Sequence, residues 1–159
     1  MYNDFPILNK PSATLDKINI WAKNKPVLFR QAIPLAYRLS LQYGIDPVVT
    51  IAQIALETGY CTYPGKVSSS YKNTCGLKTK DGKDFHKFSS WEEGIEAHVQ
   101  HLALYANSPK LQNKKIVDPR HFDSLRGCAK TVNALSLKWA TNSDYGNKIN
   151  TLCKQIIKG

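Results

Sequence analysis

Glu57 is set apart from the other glutamates of this chain by its surroundings. Only four glutamates occur in the 159 residues, and the other three cluster at positions 92, 93 and 96. Glu57 ends the apolar run Val48–Glu57, where the negative end of a helix dipole and burial among neighbours such as Ile54 and Leu56 would both disfavour its charged form. A carboxyl group that keeps its proton near neutral pH suits the general acid of glycosidic cleavage. The alternative is a glutamate that ends a buried helix and simply reaches solvent.

Other reactive side chains form weaker patterns. His98 and His101 share a predicted helix face, but His98 falls on the apolar side and no third ligand follows at suitable spacing, so we predict no metal and no cofactor. No nucleophile motif surrounds Ser68–Ser70 or Cys61. Four cysteines permit two disulfides in three pairings, yet no CxxC spacing occurs, and free buried thiols are favoured. The cysteines are Cys61, Cys75, Cys128 and Cys153.

Composition limits the class of protein. The length suits one domain over residues 1–159, and no apolar run approaches the roughly 20 residues of a membrane helix. The net charge of +10 favours a polyanionic partner, such as an anionic cell wall, a membrane surface or nucleic acid, but no nucleic-acid motif accompanies it. Residues 1–17 lack the pattern of a secretory signal peptide, so an extracytoplasmic target would require another delivery route.

The elements that position these residues are mostly helices. Asp46-Pro47 is a strong helix start, with Asp46 as cap and Pro47 in the first turn, and Ser90 with Glu93 forms a capping box before another helix. Asp81-Gly82 predicts the turn of a small hairpin over residues 77–88. We predict an irregular lead-in over residues 1–11, a helix capped by Ser12, a second helix with Pro34 inside it, ended by Gly44, and short helices at 118–127 and 132–139. A final helix would be capped by Asn142 or Ser143. The fold class is therefore mainly α with one small β-hairpin.

Four motifs in order resemble those of the glucosaminidases of glycoside hydrolase family 73, particularly clostridial and phage versions. They span roughly residues 30–157. The first runs from Ile45-Asp46-Pro47 to Leu56-Glu57-Thr58-Gly59, and the second is Asn73-Thr74-Cys75-Gly76-Leu77-Lys78. The third is Phe88-Ser89-Ser90-Trp91-Glu92-Glu93-Gly94 with Ala97-His98, and the last joins Trp139-Ala140-Thr141-Asn142 to Tyr145-Gly146-Asn147-Lys148-Ile149.

This resemblance implies a lysozyme-like fold and hydrolysis of the β-1,4 bond between N-acetylglucosamine and N-acetylmuramic acid in bacterial peptidoglycan. It also places the general acid at Glu57 and favours Tyr145 as a substrate contact. Enzymes of this kind are called autolysins or endolysins according to their origin.

A second acidic group is usual in glycosidases. Asp84 is preferred, because Asp81 is explained by the turn, and Glu92 ranks next. A substrate-assisted route through the sugar's acetamido group would need no second carboxylate. Aromatic rings could bind sugar faces or pack in the core. The candidate substrate-binding residues are Tyr60, Tyr71, Asn73, Trp139 and Tyr145, of which Asn73 could instead hold the turn.

Other functions remain open at this stage. A muramidase or lytic transglycosylase of the same fold would also use one glutamate at a helix end. A non-catalytic wall-binding or virion module and a nucleic-acid binder are further alternatives. We expect a monomer acting on the cell wall outside the cytoplasm, in contact with peptidoglycan and with anionic wall polymers. We expect no nucleic acid partner and no membrane insertion. Release by lysis or a holin, or carriage in a phage or secretion assembly, would deliver it.

Overall fold

Five α-helices carry most of the secondary structure in the computed structural model, which describes residues 1–159. They are α1 (Leu15–Trp21), α2 (Val27–Gln42), α3 (Pro47–Thr58), α4 (Trp91–Ala106) and α5 (Tyr145–Lys158). Four single-turn 3-10 helices lie at Ser69–Tyr71, Pro109–Leu111, Asp123–Leu125 and Asn133–Leu135. The only β pairing consists of isolated bridges. The predicted mainly α fold is confirmed.

Helix α3 is the central element of the core. The Asp46 side chain caps it by accepting a hydrogen bond from the Val48 N–H at 3.0 Å, and Gly59, at φ +57°, ends it in the left-handed conformation that glycine adopts cheaply. Every residue of the helix except Leu56 and Glu57 is buried. Because α3 packs against both α2 and α5, only its last turn reaches the surface, and this is where Glu57 lies.

The lead-in is irregular, as predicted, but it belongs to the core. Phe5 and Ile7 are fully buried, and the Phe5 N–H donates to the Asn150 side chain of α5 at 3.0 Å. Isolated bridges pair Pro6 with Thr131 and Leu8 with Ile45. These long-range contacts tie the N-terminal segment to α3 and α5, the helices that carry the site.

Two predicted helix caps are wrong. Helix α1 is capped by Thr14, because Ser12 is engaged elsewhere: its hydroxyl donates to Asp46 at 2.5 Å and its N–H to the same carboxylate at 3.1 Å. Helix α5 begins after Asp144, whose side chain makes no capping bond, and the Asn142 side chain instead accepts from the Asp144 N–H at 2.8 Å. Ser12 is bound by the buried Asp46 carboxylate and Asn142 by a local turn, so neither side chain caps the helix that it was predicted to cap.

The helices predicted at 118–127 and 132–139 reduce to the 3-10 turns Asp123–Leu125 and Asn133–Leu135. The second helix begins directly after Pro26 and accommodates Pro34 without ending. It stops before Gly44, as expected.

The predicted hairpin is present only as one antiparallel bridge, between Lys78 and Phe85. The Thr79 N–H donates to the Asp84 carbonyl at 2.8 Å, and Gly82 turns the chain at φ +75°. The His86 N–H donates to the Leu77 carbonyl at 2.9 Å, but the reciprocal bond is replaced by the Asn73 side chain, which accepts from the Leu77 N–H and donates to the His86 carbonyl, both at 3.0 Å. All four cysteines are free, and no helix is long and apolar enough to cross a membrane.

Candidate active site

Glu57 opens onto a groove at the C-terminal end of α3. The cavity has a volume of about 360 Å³ and is walled by the loop after α3 and by the Lys78–Phe85 bridge region. Its lining includes Glu57, Tyr63, Lys66, Asn73, Gly76 and Phe85. Glu57 is exposed to solvent there and forms no ion pair. The carboxyl group is therefore reachable from the groove and is not neutralised by a lysine or arginine.

The Glu57 carboxyl group is solvent-accessible on one side and crowded by protein on the others. This desolvation raises its pKa above the ordinary value, while the hydroxyl of Tyr145 and the indole of Trp139 lower it in part. The Tyr145 hydroxyl donates to Oε1 of Glu57 at 2.6 Å. The net upward direction matches the sequence-based expectation, and desolvation is its main cause.

A buried polar chain extends from Tyr145 into the core. Gln53, one helical turn before Glu57, donates from its amide nitrogen to the Tyr145 oxygen at 2.8 Å. The Gln53 carbonyl faces Nε2 of His98 at 2.9 Å, and Nδ1 of His98 faces the Thr74 hydroxyl at 2.9 Å. Sequence reasoning did not assign Gln53 or Thr74 to the site. The available signal was a glutamine in a helix that is otherwise apolar and four residues before the candidate acid.

His98 and His101 occupy separate environments. His98 is fully buried, and burial lowers its pKa to about 3, with the neighbouring His101 acting in the same direction. His101 places its Nδ1 2.7 Å from the buried carboxylate of Asp118. Both imidazoles are thus held by hydrogen bonds that account for their burial.

Asp84 lies beside a second and larger groove of about 900 Å³, which shares Lys66 and Phe85 with the groove of Glu57. The Asp84 side chain is exposed and accepts no hydrogen bond from the chain. Four exposed lysines line the same groove: Lys66, Lys78, Lys83 and Lys87.

The other acidic groups in this part of the molecule are engaged. Asp81 accepts from the Thr79 hydroxyl at 2.6 Å and from the Lys83 N–H at 3.0 Å, which is the predicted turn role. Glu92 pairs with Arg38 at 2.5 Å. Glu93 and Glu96 accept hydrogen bonds from Ser89 and Tyr43, respectively. Asp84 is the carboxylate of the bridge region that has no such partner.

Asn73 has no hydrogen-bonding capacity left for a ligand. Its amide nitrogen donates to two carbonyls, and its oxygen accepts from the N–H groups of Cys75 and Leu77 at 3.3 and 3.0 Å. The side chain is 1% exposed. Of the two roles considered for Asn73, the geometry favours the one of holding the turn.

The four aromatic candidates lie in four different settings. Tyr145 is buried and contacts Glu57 directly, whereas Tyr71 lines the lysine groove with Lys87 over its ring at 4.9 Å. Trp139 packs on His101 and Tyr105, with ring centroids 4.8 and 5.1 Å apart.

Tyr60 packs edge-on against Phe29 at 5.2 Å and lines a different, mostly apolar cavity of about 440 Å³. That cavity lies on the other side of Leu56 and Gly59 from Glu57, since these two residues border both cavities. The structure therefore separates Tyr60 from the residues around Asp84.

Two solved structures share this fold. The catalytic domain of the autolysin Auto from Listeria monocytogenes aligns with a TM-score of 0.53 at 21% identity, over 91% of this chain and 96% of that domain. Autolysin E of S. aureus, in complex with the muropeptide NAM-L-Ala-D-iGlu, aligns with a TM-score of 0.56 at 15% identity, over 96% of this chain and 70% of its own.

Sequence relatives give the family. An uncharacterized protein of Borreliella burgdorferi is 33% identical over 120 residues, which is 75% of this chain, and the chain spans 58% of that relative's length. Residues 33–158 match the glucosaminidase family, described as mannosyl-glycoprotein endo-beta-N-acetylglucosaminidase.

The mainly α fold agrees with that of the two solved structures, and the family match extends over most of the chain. The chain belongs to the glucosaminidase family, as the four motifs implied.

Proposed function

We propose that this chain hydrolyses the β-1,4 bond between N-acetylglucosamine and N-acetylmuramic acid in bacterial peptidoglycan, with Glu57 as general acid. The observation that carries the proposal is the state of Glu57: open to a groove, free of cationic partners, and raised in pKa by its surroundings. Such a group gives its proton to the glycosidic oxygen as the bond from that oxygen to C1 breaks. The carboxylate left behind is stabilised by the Tyr145 hydroxyl.

Asp84 is proposed as the second carboxylate. Water adds its oxygen to C1, and its proton must pass to a base on the other side of the sugar. Asp84 suits this role because its side chain is unpaired and its groove adjoins that of Glu57.

Peptidoglycan as the substrate is supported by the muropeptide that autolysin E binds and by the charge of this chain. Glycan strands carry peptide stems with carboxylates, and walls carry anionic polymers, so the lysine groove suits either. Within the groove, Tyr71 is the proposed sugar-binding ring. Tyr145 and Trp139 would act beside the scissile bond, and Tyr60 would contact a more distant part of the strand. The proposed site of action is the cell wall, outside the cytoplasm.

Digestion of purified peptidoglycan tests the function. Wild type should release fragments whose new reducing ends, after borohydride reduction and mass analysis, are N-acetylglucosamine. Glu57→Gln should lose activity by about 10²–10⁴-fold, the contribution typical of a general acid. Glu93→Gln is the matched control, because Glu93 lies on an exposed helix start away from the groove and should keep activity.

Three outcomes would overturn the proposal. Reducing-end N-acetylmuramic acid would indicate a muramidase, and an anhydro sugar would indicate a lytic transglycosylase. A folded Glu57→Gln variant with wild-type rates would remove Glu57 from the reaction.

A further inference from the structure

We infer that a hydrogen-bond chain with one fixed direction of donation runs through Thr74, His98 and Gln53. This chain makes the Tyr145 hydroxyl a donor to Oε1 of Glu57 and thereby confines the acidic proton of Glu57 to Oε2. The inference rests on the proposed role of Glu57 as general acid. It assigns the three buried residues as positioning residues, since none of them is proposed to touch the sugar. Each link joins side chains from different parts of the chain at 2.6–2.9 Å.

The direction of the chain is set by Gln53. Its amide nitrogen, which can only donate, faces the Tyr145 oxygen, and its carbonyl oxygen, which can only accept, faces Nε2 of His98. Nε2 must therefore carry a hydrogen. Gln53 is fully buried, so water does not offer the amide another partner.

His98 transmits this direction to Thr74. Because burial keeps the imidazole neutral, a hydrogen on Nε2 leaves a lone pair on Nδ1. The Thr74 hydroxyl, itself fully buried, must then donate to Nδ1. Thr74 thus complements the tautomer that Gln53 imposes on His98, a histidine that burial keeps neutral.

The consequence appears at Glu57. With its oxygen already accepting from Gln53, the Tyr145 hydroxyl directs its hydrogen to Oε1. A proton on Oε1 would compete with that hydrogen, so the acidic proton resides on Oε2. When this proton leaves, the hydroxyl stabilises the new charge without having to reorient.

Other titratable groups around Glu57 do not impose this arrangement. Cys75 and Tyr145 interact electrostatically with its carboxylate and both are held neutral by burial, and Lys66 lines the groove without pairing with it. The polar chain is the contact that distinguishes one carboxyl oxygen from the other.

If hydrogen-bond donation ran in the opposite direction along this chain, the Glu57 proton would be placed differently. With the Gln53 amide reversed, His98 would carry its hydrogen on Nδ1, Thr74 would accept, and Tyr145 would donate to Gln53. The Glu57 proton would then lie between Oε1 and Tyr145, turned away from the substrate. The tautomer of His98 therefore reports the polarity of the whole chain.

Nitrogen-15 NMR of the uniformly labelled protein measures that tautomer directly. We expect His98 as the neutral Nε2–H form from pH 5 to 8, in contrast to His101, which must donate from Nδ1 to the Asp118 carboxylate and serves as internal reference. A neutral Nδ1–H form of His98 would overturn the inference. This measurement needs no substrate, so it can fail or succeed independently of the proposed activity.

Kinetics of two Thr74 variants supply the second test. Thr74→Val keeps the shape but leaves Nδ1 of His98 without a partner, so His98 and Gln53 are held less firmly behind Tyr145, and kcat should fall by about 2–10-fold, the value of one neutral hydrogen bond. The alkaline limb of the kcat profile should move to higher pH, because the Tyr145 bond that lowers the Glu57 pKa weakens. Thr74→Ser should restore both the rate and the profile. An unchanged pH profile in folded Thr74→Val, or no rescue by serine, would overturn the inference.

Discussion

At the scale of single residues, the environment of Glu57 combines two opposing effects. Desolvation raises its pKa, and the hydrogen bond from Tyr145 lowers it, so the group remains an acid that can both hold and release a proton. The balance requires a hydroxyl at 2.6 Å that is itself fixed by Gln53. Neither effect alone would suit a general acid near neutral pH.

Removing the Tyr145 hydroxyl should disturb this balance in a defined direction. Tyr145→Phe loses the bond that favours the charged form, so the pKa of Glu57 should rise and the alkaline limb of kcat should move to higher pH. The rate at neutral pH should fall by about 10–100-fold, as expected for a hydrogen bond to a charged group. Tyr37→Phe, whose hydroxyl contacts only the Ala13 carbonyl, is the control. A Tyr145→Phe profile that coincides with wild type would contradict this account.

The two aspartates of the bridge region should behave differently. Asp84→Asn removes the proposed base and should reduce turnover by about 10²–10⁴-fold. Asp81→Asn weakens only the turn, because Asp81 is bound to Thr79 and Lys83, so turnover should change little. Turnover on peptidoglycan and thermal unfolding should be measured together. Equal activity of both variants would exclude Asp84 as the second catalytic group.

At the scale of elements, close backbone contacts hold the groove together. Helix α4 approaches the end of the loop before Asn73 so closely that a Cβ on Gly94 would lie 1.8 Å from the Lys72 carbonyl oxygen. The glycine is therefore required by packing, although glycine is a poor helix former. This contact sets the distance between α4, which carries His98, and the segment that carries Thr74.

Gly94→Ala should be destabilising, in contrast to most glycine-to-alanine changes in helices. We expect a loss of about 1–3 kcal/mol in the free energy of unfolding, as for other overpacked sites. Gly65→Ala, where nothing lies within 4 Å of the added carbon, should change stability by less than about 0.5 kcal/mol. Urea unfolding of both variants checks this, and a stabilised Gly94→Ala protein would show that the loop yields freely.

At the scale of the whole molecule, we propose that residues 1–159 form one domain in which the lead-in is part of the core. The family match begins at residue 33. Phe5 and Ile7 precede the matched segment, yet both are fully buried against elements that lie within it. The N-terminal segment closes over α3 and α5 and so stabilises the helices that carry Glu57 and Tyr145. The unit that folds is then longer than the matched segment.

Phe5→Ala should therefore lower global stability by about 3–5 kcal/mol, the usual cost of removing a buried ring. Tyr2→Ala, a neighbouring and exposed aromatic residue, should cost much less. Denaturant unfolding followed by far-UV circular dichroism distinguishes the two. A small effect at Phe5 would mean that the lead-in is a dispensable arm.

Acid should weaken the whole fold through His98. Its pKa is about 3 in the folded protein against 6.5 when exposed, so the unfolded chain binds the extra proton as the pH falls. The free energy of unfolding is unaffected by the ionisation of His98 above pH 6.5 and falls toward pH 3, by up to about 1.4 kcal/mol per pH unit. His98→Asn should flatten this part of the stability profile. Parallel profiles for wild type and His98→Asn would contradict the assignment.

The sequence by itself determined much of the local structure and the candidate acid. Asp46-Pro47, Ser90 and Gly59 mark helix ends through bonds within a few residues, so α3 and α4 could be predicted with nearly the correct bounds. The apolar pattern placed Glu57 at the exposed end of a buried helix. These features depend on neighbours along the chain, and for this reason they can be read from it.

Only the tertiary structure decided which polar groups meet. Tyr145 reaches Glu57 across 88 positions, and Asp46 takes Ser12 away from its predicted cap across 34. The buried chain of Thr74, His98 and Gln53 likewise joins residues that no local pattern links. Such contacts arise because burial favours a partner for nearly every polar group, and the available partner is fixed by how the helices pack.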